Sequence, residues 1–155
     1  MTRSRFLVPL LVLLLGACSA PDEPTVPFFV AVQRGDIDQV ERHIYWDTDV
    51  NQPFPTGRYP IHDAADKGRI IMLDMLIRDG AHLQVTDAAG RSPMDLAILS
   101  GRIEAAEVLI NAGAEFVPSR LLLLAARHDS EDRDVVRFLK SHGANLEATD
   151  EQGYT

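Results

Sequence analysis

The feature that most constrains the fold of this chain is a spacing of 33 residues between equivalent glycines and prolines. Gly35, Gly68 and Gly101 follow this period. Other positions share it independently: Pro27, Pro60 and Pro93, Gly57 with Gly90, and Gly80 with Gly113. A fixed period of this length indicates stacked repeats, in which no unit can bury its apolar face alone. The sequence therefore predicts a solenoid whose units pack mainly on their neighbours.

The clearest unit, residues 57–90, predicts two helices and a turn. Pro60 suits the first turn of a short helix, because its missing N–H would have no partner there. Apolar residues at helical spacing predict a second helix over Ile70–Arg78, and Gly80 suits its left-handed end. A turn is expected at Asp87–Gly90.

The third unit repeats this pattern and adds a helix-capping signal. Ser92 is a natural N-cap, Pro93 follows as the first helical residue, and Asp95 stands three residues after the cap. This arrangement is that of a capping box with Asp in place of Glu. The second helix is predicted from an apolar stripe: Ile103, Ala106, Leu109 and Ile110.

These units resemble the ankyrin repeat, whose pattern is roughly G-x-T-P-L-H-x-A-A-x-x-G, then an apolar helix and L-L-x-x-G-A. Residues 57–68 (GRYPIHDAADKG) and 90–101 (GRSPMDLAILSG) carry the resemblance. It implies an all-α ankyrin-repeat solenoid of helix-turn-helix units joined by β-turn or hairpin loops. About four repeats are expected in a domain over residues 27–155, at about 27–57, 58–90, 91–119 and 120–153.

Several departures from that pattern fall at single positions. Tyr59 replaces the capping threonine, so this helix should lose a cap, and Asp47 stands where a helix-ending glycine is expected. The first unit is degenerate, and we expect its aromatic residues in the core or as a lid. Those residues are Phe28, Phe29, Tyr45 and Trp46.

The fourth unit is the most altered. Its connecting turn is about five residues shorter, and helices are expected at Leu121–Ala126 and Val135–Lys140. Gly153–Thr155 matches the opening of a further repeat, which favours the start of a fifth. A frayed tail is the alternative.

The first eighteen residues predict an export signal. Arg3 and Arg5 precede an apolar run, Phe6–Leu15, which is shorter than the roughly 20 residues that span a bilayer as a helix. The run ends at Leu15-Gly16-Ala17-Cys18, and Cys18 is the only cysteine.

This segment resembles the signal peptide and lipobox of bacterial lipoproteins. The resemblance implies that residues 1–17 are removed, that Cys18 is lipidated and that Ser19 directs the protein to the outer membrane, facing the periplasm. Inner-membrane retention stays open. Residues 18–26 are then predicted to be a flexible tether. An ordinary cleaved signal with an incidental cysteine is the alternative.

Charge narrows the classes of partner. The net charge of the whole chain is −8, and loss of Arg3 and Arg5 with the signal lowers it to −10. Such a domain repels nucleic acid and anionic lipid, so a protein with a basic or mixed face is expected instead.

No motif indicates an enzyme or a cofactor. The histidines lack the spacing of a metal site, and no nucleophile motif or phosphate-binding loop is present. The acidic turn at residues 129–134 could hold calcium but lacks the ligand alternation of a known loop, which favours a solvated helix start. No catalytic residue, metal, cofactor or small-molecule substrate is therefore expected.

The resemblance also implies which residues would bind a partner, at the turn tips and the inner side of the first helices. Carried over position by position, these are Gln33, Arg34, Arg58, Asp66, Lys67, Ala88, Ala89, Arg91, Leu99, Ser100, Arg127 and His128. His62 stands where the family has a structural histidine that hydrogen-bonds neighbouring turns. The alternative for each of these twelve residues is that it is an ordinary solvated surface residue with no role in binding.

The sequence thus predicts a membrane-tethered protein-binding module in the bacterial periplasm. A scaffold, a protector of another protein and an immunity protein against a delivered toxin all fit. The alternative is a structural envelope lipoprotein without a defined client, and an enzyme is the least supported class.

Overall fold

The computed structural model describes residues 20–128 and 132–145, and it confirms the all-α solenoid predicted from the period. The described residues contain eight helices and no strand. The helices are α1 (Phe28–Arg34), α2 (Ile37–Tyr45), α3 (Pro60–Asp66), α4 (Ile70–Arg78), α5 (Pro93–Leu99), α6 (Ile103–Asn111), α7 (Pro118–Arg127) and α8 (Arg133–Ser141).

The helices form two layers. The first helices of the units, α1, α3, α5 and α7, pack side by side, and the second helices, α2, α4, α6 and α8, do the same. Each pair also packs across the layers, so the core is one continuous cluster between them. Alanines at one recurring position of the first helices are almost fully buried and let neighbouring backbones approach closely. They are Ala31, Ala64, Ala97 and Ala125.

The structure contains the helix starts predicted at Pro60 and Pro93, and at the first of them another residue replaces the missing cap. The Ser92 hydroxyl accepts from the Asp95 N–H (3.1 Å), and Asp95 accepts from the Ser92 N–H (3.0 Å). Tyr59 provides no side-chain cap, as expected. The His62 ring instead accepts a hydrogen bond from the Tyr59 N–H through Nδ1, at 3.1 Å, and so satisfies one orphan donor of α3.

The fourth unit keeps its helix pair but changes the connection. Residues 112–117 join α6 to α7, whereas residues 79–92 join α4 to α5. Helix α7 begins at Pro118, earlier than the expected Leu121, so an extra helical turn replaces part of the missing loop. Asp132 caps α8 by accepting from the Asp134 N–H (2.9 Å). Asp129, Glu131 and Gly153–Thr155 lie outside the described residues.

The N-terminal strap, defined here as residues 20–27, lies against α2 rather than standing free as a flexible tether. Trp46 donates through Nε1 to the Pro21 carbonyl (3.2 Å), and the Thr25 N–H donates to the Gln39 side chain (2.8 Å). Among the described residues no helix precedes α1, and the strap is the segment that lies before the first unit. Cys18 and the predicted signal lie outside the described residues.

The aromatic residues of the first unit separate into two groups. Phe28 is half-buried against the core and beside His43, with ring centroids 5.1 Å apart. Phe29, Tyr45 and Trp46 are exposed, so the expectation of a core role holds only for Phe28. Among the described residues, no helix has both the length and the apolar character needed to cross a bilayer.

Asp47 adopts the left-handed conformation for which the other units use glycine. Its φ is 55°, against 84° at the equivalent Gly80. The Thr48 N–H donates to the His43 carbonyl (2.9 Å), which closes α2 as the Ala81 N–H, donating to Leu76, closes α4. A residue with a Cβ is strained in this conformation.

We therefore expect Asp47→Gly to stabilise the protein by a few tenths to about 1 kcal/mol, because the strain at this helix end is removed. Urea unfolding followed by circular dichroism measures the change. The matched control is Asp38→Gly in the exposed first turn of α2, which should destabilise by about 0.5–1 kcal/mol. A loss of stability in Asp47→Gly would contradict the strain argument.

Candidate protein-binding surface

The predicted binding residues lie on one side of the molecule, named here the first-helix surface. It comprises the C-terminal ends of α1, α3, α5 and α7 and the turns at residues 54–58 and 87–91. The structure divides the twelve side chains by accessibility. Gln33, Arg34, Lys67, Ala88, Ala89, Arg127 and His128 are exposed, whereas Arg58, Asp66, Arg91, Leu99 and Ser100 are half-buried.

Arg58 holds the turn at residues 54–58 onto α3. Its guanidinium lies 3.3 Å from Asp63 and 2.8 Å from Asp66, and its side chain is 26% exposed. Its Nε is buried and lacks a hydrogen-bond partner among the described residues. Lys67 reaches the same Asp63 at 3.1 Å. These charged side chains therefore stabilise the fold, whether or not they also contact a partner.

Asp66 connects the second unit to the third. It accepts hydrogen bonds from the Ser100 hydroxyl and from Arg58, and its backbone carbonyl accepts from Arg102 Nε at 3.3 Å. Burial alone would raise the pKa of Asp66, but the Ser100 and Arg58 hydrogen bonds outweigh it and hold that pKa below its ordinary value. The carboxylate is thus charged and already engaged at neutral pH.

Two arginines at equivalent positions join successive units, and the sequence interpretation missed both. Arg69 donates to the Val32 carbonyl and, at 2.9 Å, to that of Gln33. Arg102 does the same one unit later at Asp66. A Cβ at Gly35 would lie 2.9 Å from Arg69 Cζ, so the glycine provides space as well as a positive φ. The available signal was the dipeptide Gly-Arg, repeated after 33 residues.

The carboxylate of Asp87 organises the turn at residues 87–91. Its carboxylate accepts from the Ala89 N–H (2.9 Å), the Arg91 N–H (3.0 Å) and the Arg91 guanidinium (2.8 Å). Burial opposes the charge, but the Arg91 and Ala89 hydrogen bonds lower the pKa of Asp87 to about 2. The turn thereby presents Ala88 and Ala89 to solvent on a fixed backbone.

His62 has the structural role expected from the resemblance. Its Nε2 lies 3.0 Å from the Arg91 carbonyl in the next unit, while Nδ1 accepts from Tyr59. This pattern is that of a neutral ring with the proton on Nε2. Burial lowers the pKa of His62 and favours the neutral form. At the equivalent position of the third unit, Asp95 contacts Arg120 of α7 at 2.6 Å.

The first-helix surface therefore has a paired framework and a smaller set of outward groups. Gln33, Arg34, Ala88, Ala89 and His128 project from successive units. Within residues 20–128 and 132–145, no three His, Cys, Asp or Glu side chains are grouped to hold a metal ion. An open polar surface of this kind can contact another protein through side chains from several units at once.

Comparison with known proteins matches the chain to one family. The family model for ankyrin repeats (three copies) matches residues 28–120. Human protein phosphatase 1 regulatory subunit 27 is 30% identical over 58% of this chain and 59% of its own length. Myotrophin of Xenopus tropicalis is 38% identical over 36% of the chain and 47% of its own. The potassium channel GORK of Arabidopsis thaliana is 34% identical over 58% of the chain and 11% of its own. The chain thus spans from about a tenth to about three fifths of these relatives.

The lowered pKa of Asp87 predicts that the stability of the folded protein decreases at acid pH. Because its pKa is lower in the folded protein than the ordinary 3.8, its contribution is present above pH 4 and is lost as the pH falls toward 2. We expect Asp87→Asn to lower the free energy of unfolding at pH 7 by about 1–2 kcal/mol, because solvent around Arg91 screens the pair. Urea unfolding of both proteins should converge near pH 2. A difference that persists there would contradict the charge argument.

The paired Arg58 and the exposed Arg34 should respond to charge reversal by very different amounts. Arg58→Glu should lower the free energy of unfolding by about 2 kcal/mol, since it replaces two ion pairs by repulsion from Asp63 and Asp66. Arg34→Glu, at the exposed end of α1, should change it by no more than about 0.5 kcal/mol. Thermal unfolding followed by circular dichroism gives both values. Equal destabilisation by the two variants would argue against the division into paired and outward groups.

Proposed function

The chain belongs to the ankyrin-repeat family, and on this premise we propose that it is a membrane-tethered module that binds a protein partner in the bacterial cell envelope. Ankyrin repeats imply a protein–protein interaction module, and such repeat proteins are generally binding modules rather than enzymes. The finer proposal concerns the location, the tether and the surface that binds.

The observation that carries the binding proposal is the division of the first-helix surface. Its paired residues, such as Arg58, Asp66 and Ser100, hold the units in register. Its outward residues, such as Arg34 and Ala89, have exposed side chains that take no part in these contacts between units. A surface ordered in advance loses little conformational entropy when it binds, which favours a specific partner.

The tether rests on the lipoprotein resemblance of residues 1–18. Lipidation of Cys18 would hold the domain at the outer membrane, facing the periplasm. The alternative location is the inner membrane. Each buried methylene of an acyl chain contributes about 0.8 kcal/mol, so two or three chains anchor firmly. The partner is proposed to carry a basic or mixed face, because the chain without residues 1–17 has a net charge of −10.

A scaffold, a protector of an envelope enzyme and an immunity protein all use such a module. The relative that is by name a regulatory subunit of protein phosphatase 1 supports a role in which repeats of this kind act on an enzyme. The second candidate is a structural envelope lipoprotein without a defined client, which predicts many weak partners instead of one.

The binding proposal is tested by capture from native membranes with the full-length lipoprotein. The surface variant combines Arg34→Glu, Ala89→Arg and His128→Glu, all at exposed positions outside the ion pairs described above. The matched control is Glu107→Lys on the exposed side of α6, in the other layer. We expect one dominant partner that the surface variant loses and the control keeps.

The same proteins captured with all three baits would contradict binding through this surface and favour the structural alternative. The tether is checked separately, because Cys18→Ser should move the protein from the membrane fraction to the soluble fraction. The intact mass of the membrane form should include the acyl chains.

A further inference from the structure

The N-terminal strap fixes where a lipid on Cys18 would lie relative to the domain. Three contacts hold the strap to α2 along its length: Trp46 to Pro21, Gln39 to Thr25, and His43 to the Val26 carbonyl at 2.8 Å. Pro21 is the third residue after Cys18, so their Cα atoms lie at most about 11 Å apart when the chain between them is fully extended. The acyl chains of a lipidated Cys18 must therefore enter the bilayer close to the Trp46 end of the stack.

That end of the stack carries an exposed aromatic pair. Tyr45 and Trp46 are 54% and 46% exposed, and their rings meet edge to face with centroids 6.0 Å apart. Amphipathic rings of this kind are enriched where hydrocarbon meets lipid headgroups. About half of each side chain remains open to solvent at the end of α2, where the Pro21 carbonyl accepts from Trp46.

We propose that Tyr45 and Trp46 rest in the headgroup region of the bilayer that holds the Cys18 lipid, so that the stack stands on the membrane by its first repeat. This inference rests on the proposed lipid anchor and adds a second, protein-made contact beside it. The domain is then held in one orientation, whereas a free tether would let it rotate.

The charges around the pair select the class of lipid. Asp22, Glu23, Asp47 and Asp49 are exposed in the strap and the loop that follows α2. Arg42 on α2 is engaged with Asp22 of the strap at 3.7 Å. Since these carboxylates are repelled by an anionic surface, we expect the aromatic pair to bind a zwitterionic bilayer more strongly than an anionic one.

Trp46 is the only tryptophan, so its fluorescence reports on this contact alone. The full-length lipoprotein, purified from membranes, is reconstituted into phosphatidylcholine vesicles with or without bromine on the acyl chains near the headgroups. We expect a blue-shifted emission that the brominated lipid quenches. Addition of phosphatidylglycerol should weaken the quenching.

Two exposed apolar positions provide a matched pair of variants. Tyr45→Asp places a charge beside Trp46 and should reduce the quenching. Ile71→Asp alters a side chain on α4 that is 67% exposed and takes part in none of the strap contacts described above, and it should leave the quenching unchanged. A flexible spacer of about twenty residues inserted between Ser19 and Ala20 allows a separation of about 25 Å, and it should also reduce the quenching.

The outcomes separate this inference from the proposed anchor. An acylated protein whose Trp46 is not quenched, or is quenched equally in Tyr45→Asp, would overturn the aromatic contact and leave the anchor intact. Stronger quenching in anionic vesicles would overturn the assignment of lipid class. A protein isolated without acyl mass on Cys18 would overturn both the anchor and the contact.

Discussion

The packing of one helix pair against the next is the interaction on which the rest of this protein depends. Neither helix of a unit can bury its apolar side alone, since each is only seven to ten residues long. Buried alanines such as Ala64 and Ala97 let the first helices approach closely, while Leu73, Leu76 and Leu109 fill the space between the layers. The stability of each unit therefore belongs in part to its neighbours.

Stacking of apolar faces is not directional, and polar contacts between units supply the register. His62 reaches the next turn, Asp66 accepts from Ser100, and Arg69 satisfies carbonyl groups at the end of α1. These buried or half-buried groups would be costly without partners, so a unit shifted along its neighbour loses them together. The same contacts remove several charged residues from the set available to a partner. The outward groups of the first-helix surface are consequently fewer than its charged residues suggest.

The first unit lies at one end of the described stack of repeats. No helix pair precedes it within residues 20–128 and 132–145, and the N-terminal strap contacts α2 and Trp46 through Thr25, Val26 and Pro21. Because the strap begins two residues after Cys18, its contacts with α2 and Trp46 limit how far that residue can lie from the first unit.

The sequence by itself determined the features that depend on neighbouring residues. The 33-residue period, the proline starts and the glycine ends predicted the helix pairs, and Ser92 with Asp95 predicted a cap that the structure contains. Only the tertiary structure decided which polar groups are free. Arg58 and Arg34 look alike in the sequence, yet one is held by two aspartates and the other is exposed. Residues 20–26, whose composition is that of a free linker, lie on α2. The reason is physical: caps and turns form between residues a few positions apart, whereas ion pairs and strap contacts join residues brought together only when the units stack.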